Sequence, residues 1–253
     1  MLTEERRAAI VGVLRAEGRV DVNDLSRRFG TSQVTIRTDL KELHNRGSVF
    51  KTHGGAVLPE LVSGEPSIHE KLALNAAEKA RIGEAAAAIV ADGDTIILDA
   101  GSTTQEIAKR IKNRKDLTVI TNGLNIAGEL AGTRGIQIIL LGGVVRHGSF
   151  SIVGKFAQDM LGQLNADKLF IAADGCSLEF GISTPKLEES LVNQAMVAIA
   201  REKYLVADSS KFGKNSLSRI VSLWEMNGVI CDRGLPAEYR AAIIERGIDL
   251  TLV

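Results

Sequence analysis

"ILDAGSTTQEIAKRI", residues 97–111, decides how the larger part of this 253-residue chain is read. An apolar run closing on Asp99 gives way to Gly101, Ser102, Thr103 and Thr104, and then to residues spaced as an amphipathic helix. A strand, a loop of small residues and a helix start, in that order, are one way to hold a phosphate. Gly101 lets the chain turn sharply, the hydroxyls face the anion, and the helix start offers free N–H groups and a positive dipole end. A plain strand-to-helix turn with a Ser/Thr cap would be spelled the same way, so the loop needs support from its surroundings.

The surroundings supply it. An Ala-rich helix is expected over 70–90. A series of apolar runs follows: "TIILD", "LTVIT", "IQIILL", "KLFIAAD", "KYLVADS", "GVICD" and "DLTLV". Helical stretches at 103–112, 124–131, 187–201 and 236–246 separate most of them. Strands apolar throughout, alternating with helices, imply a mostly parallel sheet covered on both faces. Ligands in such sheets sit at the carboxyl ends of the strands, and the polar loops here follow strands. Asp99 ends one strand, where a carboxylate can accept from ligand hydroxyls or stabilise a turn. Asn122 and Gly123 form a second such turn, Gly142 and Gly143 a third, with Arg146 at a distance suiting an anion contact. Asp174 and Gly175 close "AADG"; Asp208 and Lys211 sit in "ADSSKFG", with Lys211 the foremost cation of this region. Glu189 in "KLEES" either hydrogen-bonds a ligand hydroxyl or caps its helix, and Asp208 likewise binds or caps.

The first fifty residues have another texture. A helix over 3–17 ends at Gly18; "RVDV" alternates like a short strand; Asn23 is positioned to cap "DLSRRF", which Gly30 closes. Ser32 is expected to cap a third helix, stopped by Gly47, in which Ile36, Leu40 and Leu43 share one face. "SVFKTHGG" then reads as a strand running into a tight turn. Three short helices with two small strands are a winged helix-turn-helix outline. With those three residues inward, the helix turns Val34, Thr38, Lys41 and Asn45 outward. Gln33, Thr35, Arg37 and Thr38, beside the cap Ser32, are the candidates for base edges. Arg28, Lys41, Arg46, Lys51 and His53 are placed for phosphates, which position without specifying. Between residues 19 and 51 there are seven basic and four acidic side chains, a local excess hidden by a formal net charge of zero for the chain.

The expected organisation is therefore a DNA-binding unit over 1–56, a linker over 57–69 holding two of the four prolines, and a ligand-binding unit over 70–253. The apolar fraction of 45% and charged fraction of 25% suit a globular protein. Cys176 and Cys231 are too few for a disulfide framework and lack metal-ligand spacing. The charged start "MLTEERRAAI" is unlike a signal peptide, and no run approaches a membrane span of roughly 20 apolar residues. A cytoplasmic location without cofactor, metal or membrane is the expectation.

Residue order adds a resemblance. "VDVNDLSRRFGTSQVTIRTDLKELHNRGSVFKTHGGAV" closely resembles the N-terminal signature of the DeoR family of bacterial transcriptional regulators, with "TIRTDL" and "KTHGGAV" its most distinctive parts. "GDTIILDAGSTT", "LTVITNGLNIA", "LLGGVVRHGSFSIVG", "KLFIAADG" and "LVADSSKFG" follow in the family's order. The resemblance implies a repressor of a sugar or amino-sugar catabolic operon, released from operator DNA by a phosphorylated sugar or amino sugar. It also implies a sensor sheet similar to that of sugar-phosphate isomerases and CoA transferases. A homo-oligomer, dimer or tetramer, would read paired half-sites. The chain departs from the family pattern at Thr38, where a second arginine is usual, and at Asn193 and Gln194, where a basic pair is common. "ALNAAEKARIG" together with Asn193 looks like the amino-sugar and hexitol branch. The other reading is a sugar-phosphate isomerase-like enzyme with an appended DNA-binding unit. Against it, isomerases of this sheet type resemble one another in a Gly-Ala-Asp-Glu-like run, which here is "DGCS", without the second carboxylate.

Overall fold

Glycines and short polar side chains set where the first helices begin and end. The structure, a computed structural model, describes residues 2–46, 48–52, 54–57 and 66–253. Helix α1, Thr3–Glu17, stops at Gly18, whose φ is 76°. Strand β1, Arg19–Asp21, leads directly into α2, Val22–Phe29. Asp21 rather than Asn23 caps α2: its carboxylate accepts from the N–H groups of Asn23 and Asp24. Either side chain can cap, and the early turn out of β1 selects the first. Gly30, left-handed at φ 58°, ends α2, and Ser32 caps α3, Gln33–Asn45, by accepting from the Thr35 N–H at 3.1 Å.

Strands β2, Phe50–Thr52, and β3, Gly55–Val57, complete a three-stranded antiparallel sheet of order β1-β3-β2, one strand more than the sequence outline. Gly55 is required here by close approach, because a Cβ on it would lie 1.9 Å from the Val20 carbonyl oxygen. Ile10, Leu14, Leu25, Ile36, Leu40 and Leu43 form the core beneath. His53, and residues 58–65 of the expected linker, lie outside the described residues.

The chain divides into two compact units, Met1–Ser67 and Ile68–Val253. In the second, the expected Ala-rich helix is two helices, α4 Ile68–Ala73 and α5 Ala76–Ile89, broken at Asn75 with φ 51°. All seven apolar runs are strands of one parallel sheet: β4 Thr95–Leu98, β5 Leu117–Thr121, β6 Ile136–Leu140, β9 Ala166–Ile171, β12 Ala200–Val206, β14 Gly228–Cys231 and β15 Asp249–Leu252. Their order is β15-β14-β12-β9-β4-β5-β6. Successive residues of a strand feed opposite faces. Ile96 and Leu98 meet α5 together with α6, Ser102–Arg110, and α7, Leu124–Leu130. Ile97 meets the other layer, built on α8 Lys155–Leu161, α9 Leu187–Ile199 and α10 Ala237–Glu245. Helices on both faces explain why the strands are apolar throughout.

Two further pieces were too short to stand out as apolar runs. One is the hairpin of β7, Val144–Val145, and β8, Ile152–Val153; the other is an antiparallel sheet of β10 Gly175–Ser177, β11 Gly181–Thr184 and β13 Ser218–Val221. Among the described residues no helix is long and apolar enough to cross a membrane.

Candidate functional site

Two surfaces concentrate polar chemistry, one in each unit. On α3, burial of Ile36, Leu40 and Leu43 fixes which residues face out: Gln33, Val34, Arg37, Thr38 and Lys41 are exposed. Gln33, Arg37, Lys41 and, on β2, Lys51 make no hydrogen bond or ion pair among the described residues. Arg28 and Arg46, by contrast, are committed. Arg28 pairs with Glu17 at 2.5 Å and Asp24 at 2.6 Å, and Arg46 with Glu4 at 2.9 Å. Thr35 is closed against its cap, its hydroxyl 2.9 Å from that of Ser32. Asp39, counted in the sequence as one negative charge among many, is 1% exposed and accepts from Arg6 Nε at 2.6 Å and Arg7 Nε at 3.0 Å. It is a clamp between α1 and α3.

The second surface is a cavity at the carboxyl ends of β4, β5, β9 and β12, where a sheet of this kind holds its ligands. Of the sequence candidates, Asp99, Gly101, Ser102, Thr103, Asn122, Asp174, Glu189 and Lys211 line it. Gly101 is extended, with φ 179°, so close packing rather than a sharp turn explains it: a Cβ would sit 3.1 Å from Thr104 Oγ1 and 3.2 Å from Ala172 Cβ.

The remaining candidates lie off the wall. Thr104 is buried, its hydroxyl donating to the Asp99 carbonyl at 2.6 Å. Gly123 packs against Ala100. Gly142 and Gly143 precede β7, and Gly143, at φ 150°, lets that hairpin close on the Val153 carbonyl. Gly175 faces the Lys214 carbonyl, 2.7 Å from where a Cβ would stand. Asp208 caps a short 3₁₀ turn over Ser209–Lys211 and accepts from Asn75 Nδ2 at 2.8 Å. Arg146 stands behind the wall, paired with Glu189 and donating to Ser149 Oγ at 3.3 Å.

The wall carries two chemically different sets of groups. In one, the Ser102 and Thr103 hydroxyls at the start of α6 and the Lys211 ammonium have no partner among the described residues. Asn122 turns Oδ1 to the Ala100 N–H at 2.8 Å, which leaves its buried Nδ2 without an acceptor. These are donors and a cation, beside a helix N-terminus. In the other set the acids are held. Glu189 takes Ser149 Oγ at 2.7 Å, Ser151 Oγ at 2.6 Å and Thr184 Oγ1 at 3.1 Å. Asp174 takes Lys71 Nζ at 2.6 Å. Asp99 accepts from Asn193 Nδ2 at 3.1 Å, yet burial, with Glu189 nearby, pushes its carboxyl up to about 8. Lys79, 3% exposed, donates to the carbonyls of Lys71 and Leu74, and burial pushes its ammonium down to about 8.

Sequence reading missed Lys71 and Lys79 because lysines in an Ala-rich helix read as its wet face. Ser149, Ser151 and Thr184 stand in segments whose placement depends on the hairpin and the small sheet. Asn193, noted as a departure from a basic pair, turns out to face Asp99, whereas Gln194 is exposed and bonds the Arg219 carbonyl.

A two-unit chain with a helix-turn-helix head and a strand-end pocket is the build of a ligand-sensing regulator. Residues 6–61 match the model of the DeoR-like helix-turn-helix domain and residues 74–233 that of the DeoR C terminal sensor domain. The chain belongs to the DeoR family. It is 38% identical to a candidate transcriptional repressor of the aga operon in Escherichia coli O157:H7, over 99% of this chain and 94% of that protein. The transcriptional repressor AccR of Agrobacterium fabrum is 36% identical (92% and 90% covered), and the repressor GlcR of Bacillus subtilis 34% (99% and 96%). These relatives are named as regulators rather than enzymes. Among solved structures, ribose 5-phosphate isomerase from Plasmodium falciparum aligns at 19% identity over 55% of this chain and 53% of that one, with a TM-score of 0.40.

Proposed function

We propose that this protein represses a sugar or amino-sugar catabolic operon and leaves its operator when a phosphorylated sugar fills the cavity. Gln33, Arg37 and Thr38 would face base edges, while Lys41, Lys51, Ser32, Arg46 and His53 would face phosphates. A dimer or tetramer would present two such heads to paired half-sites. In the cavity the phosphoryl group would lie on Ser102, Thr103, Asn122 and Lys211, with the sugar hydroxyls toward Asp99, Asp174 and Glu189.

The observation that carries this reading is the buried Asn122 amide, whose N–H groups point to no acceptor. An unmet buried donor costs about 1–3 kcal/mol, and the same cavity is lined by the unpaired Ser102 and Thr103 hydroxyls and the Lys211 ammonium. A phosphate would offer acceptors and charge to such a set.

Release can pass through Lys71. An anion near it competes with Asp174 for its ammonium, and Lys71 lies in α4, the first helix after the residues that join the two units. A gel shift on the gene's own upstream region, with hexose and hexosamine phosphates added, tests the reading. The complex should dissociate with one phosphosugar and survive its unphosphorylated form. Equal retention with every phosphosugar overturns it.

A further inference from the structure

The outward face of α3 is not uniformly polar. Val34, the second residue of the helix, is 70% exposed. One turn later Thr38 is also exposed, but its hydroxyl donates to the Val34 carbonyl at 3.0 Å. That proton is committed, so Thr38 has only a γ-methyl and an acceptor lone pair to offer a partner. Residues four apart on a helix share a face, so the valine isopropyl and the threonine methyl form one small apolar spot. Gln33 and Arg37, with free donors, flank it in sequence. A phosphate gains nothing from such a spot. In the major groove one standard base displays an apolar group: thymine, through its C5-methyl.

We infer that Val34 and Thr38 read the C5-methyl of a thymine in each half-site. The inference rests on the proposal that α3 lies in the major groove, and adds which base its apolar spot selects. Thr38 is then a reader by its methyl, not by its hydroxyl.

The full-length protein can be used to enrich a duplex from a randomised pool, and that duplex resynthesised with deoxyuridine in place of each thymine in turn. Uracil differs from thymine by the methyl alone. At one thymine per half-site, uracil should weaken binding about threefold to fivefold, the range for burying one methyl-sized group. V34A should bind the thymine and uracil duplexes alike. T38V, which keeps the methyl, should still discriminate, and T38S, which keeps the hydroxyl, should discriminate less. Both positions are exposed, so fold stability should be little changed. Absence of any methyl-sensitive position, or a V34A protein as methyl-sensitive as the parent, overturns the inference while leaving DNA binding intact. Failure to enrich any sequence overturns the groove-reading proposal as well.

Discussion

The two units handle charge in opposite ways. On α3 and β2, Arg37, Lys41 and Lys51 make no ion pair among the described residues, while Arg28 and Arg46 are locked to Glu17, Asp24 and Glu4. In the cavity the acids are the locked partners, through Ser149, Ser151, Thr184, Lys71 and Asn193, and donors are left over. One surface therefore presents open positive charge to a large anion that arrives already hydrated and screened. The other presents a few oriented donors inside a wall of acids, which suits a small anion carrying hydroxyls. Long-range attraction belongs to the first, where affinity should fall as salt rises; geometric discrimination belongs to the second.

The sharpest way to break the comparison is at Asp39. Asp39→Ala leaves Arg6 and Arg7 without the carboxylate they share, and should give the largest loss of stability in the head. Thermal unfolding of the full chain should show the head melting early while the sensor transition stays in place. A head of unchanged stability would mean that the clamp is ornamental. Next in size, Asn122→Asp removes the free amide donor and adds negative charge. Affinity for whichever phosphosugar binds the parent should drop by about 1.5–3 kcal/mol, tenfold or more by calorimetry, and unchanged affinity would place the phosphoryl group elsewhere.

On the DNA side, Arg37→Ala should cost roughly 1–3 kcal/mol on the selected site and less on random duplex. Arg46→Ala, whose guanidinium is already engaged by Glu4, should cost less than Arg37→Ala in the same anisotropy titration. The reverse ranking would say that the Glu4 pair opens on DNA.

The smallest effect is a pH slope. Asp99 binds its proton more tightly folded than unfolded, with its carboxyl near 8 against an ordinary 3.8. The stability this supplies is complete below pH 4 and is lost as pH rises toward 8. Lys79 runs the other way, but between about 8 and its ordinary 10.5, outside that window. Between pH 6 and 7, Asp99→Asn should therefore cancel about 1 kcal/mol of destabilisation seen in the parent. Parallel curves for the two proteins would show that Asp99 is ionised at neutral pH.

What the sequence made legible follows from range. The seven sheet strands announce themselves because each is buried on both faces and bounded by turn residues, a wholly local signal. The buried face of α3 was equally plain from Ile36, Leu40 and Leu43. The α4–α5 break was not, because Asn75 and Lys79 bend the chain through contacts with Asp208 and the Leu74 carbonyl. Half of the cavity's polar wall was legible for the same local reason: Asp99, Ser102, Asn122, Asp174 and Lys211 each follow a strand. Lys71, Ser149, Thr184 and Asn193 come to the cavity from helices and small hairpins whose packing no short stretch encodes. Asp39 is the plainest case, since its meaning lies 32 and 33 residues away in Arg7 and Arg6.

Coupling between the two surfaces can be measured in both directions. Titrating the selected duplex with and without a saturating phosphosugar gives one ratio of dissociation constants, and titrating the phosphosugar with and without duplex gives another. Linkage requires the two ratios to be equal. A repressor that ligand releases should show both near 5–150, the usual range for such coupling. Two ratios of one in the parent protein, with both ligands bound, would contradict it.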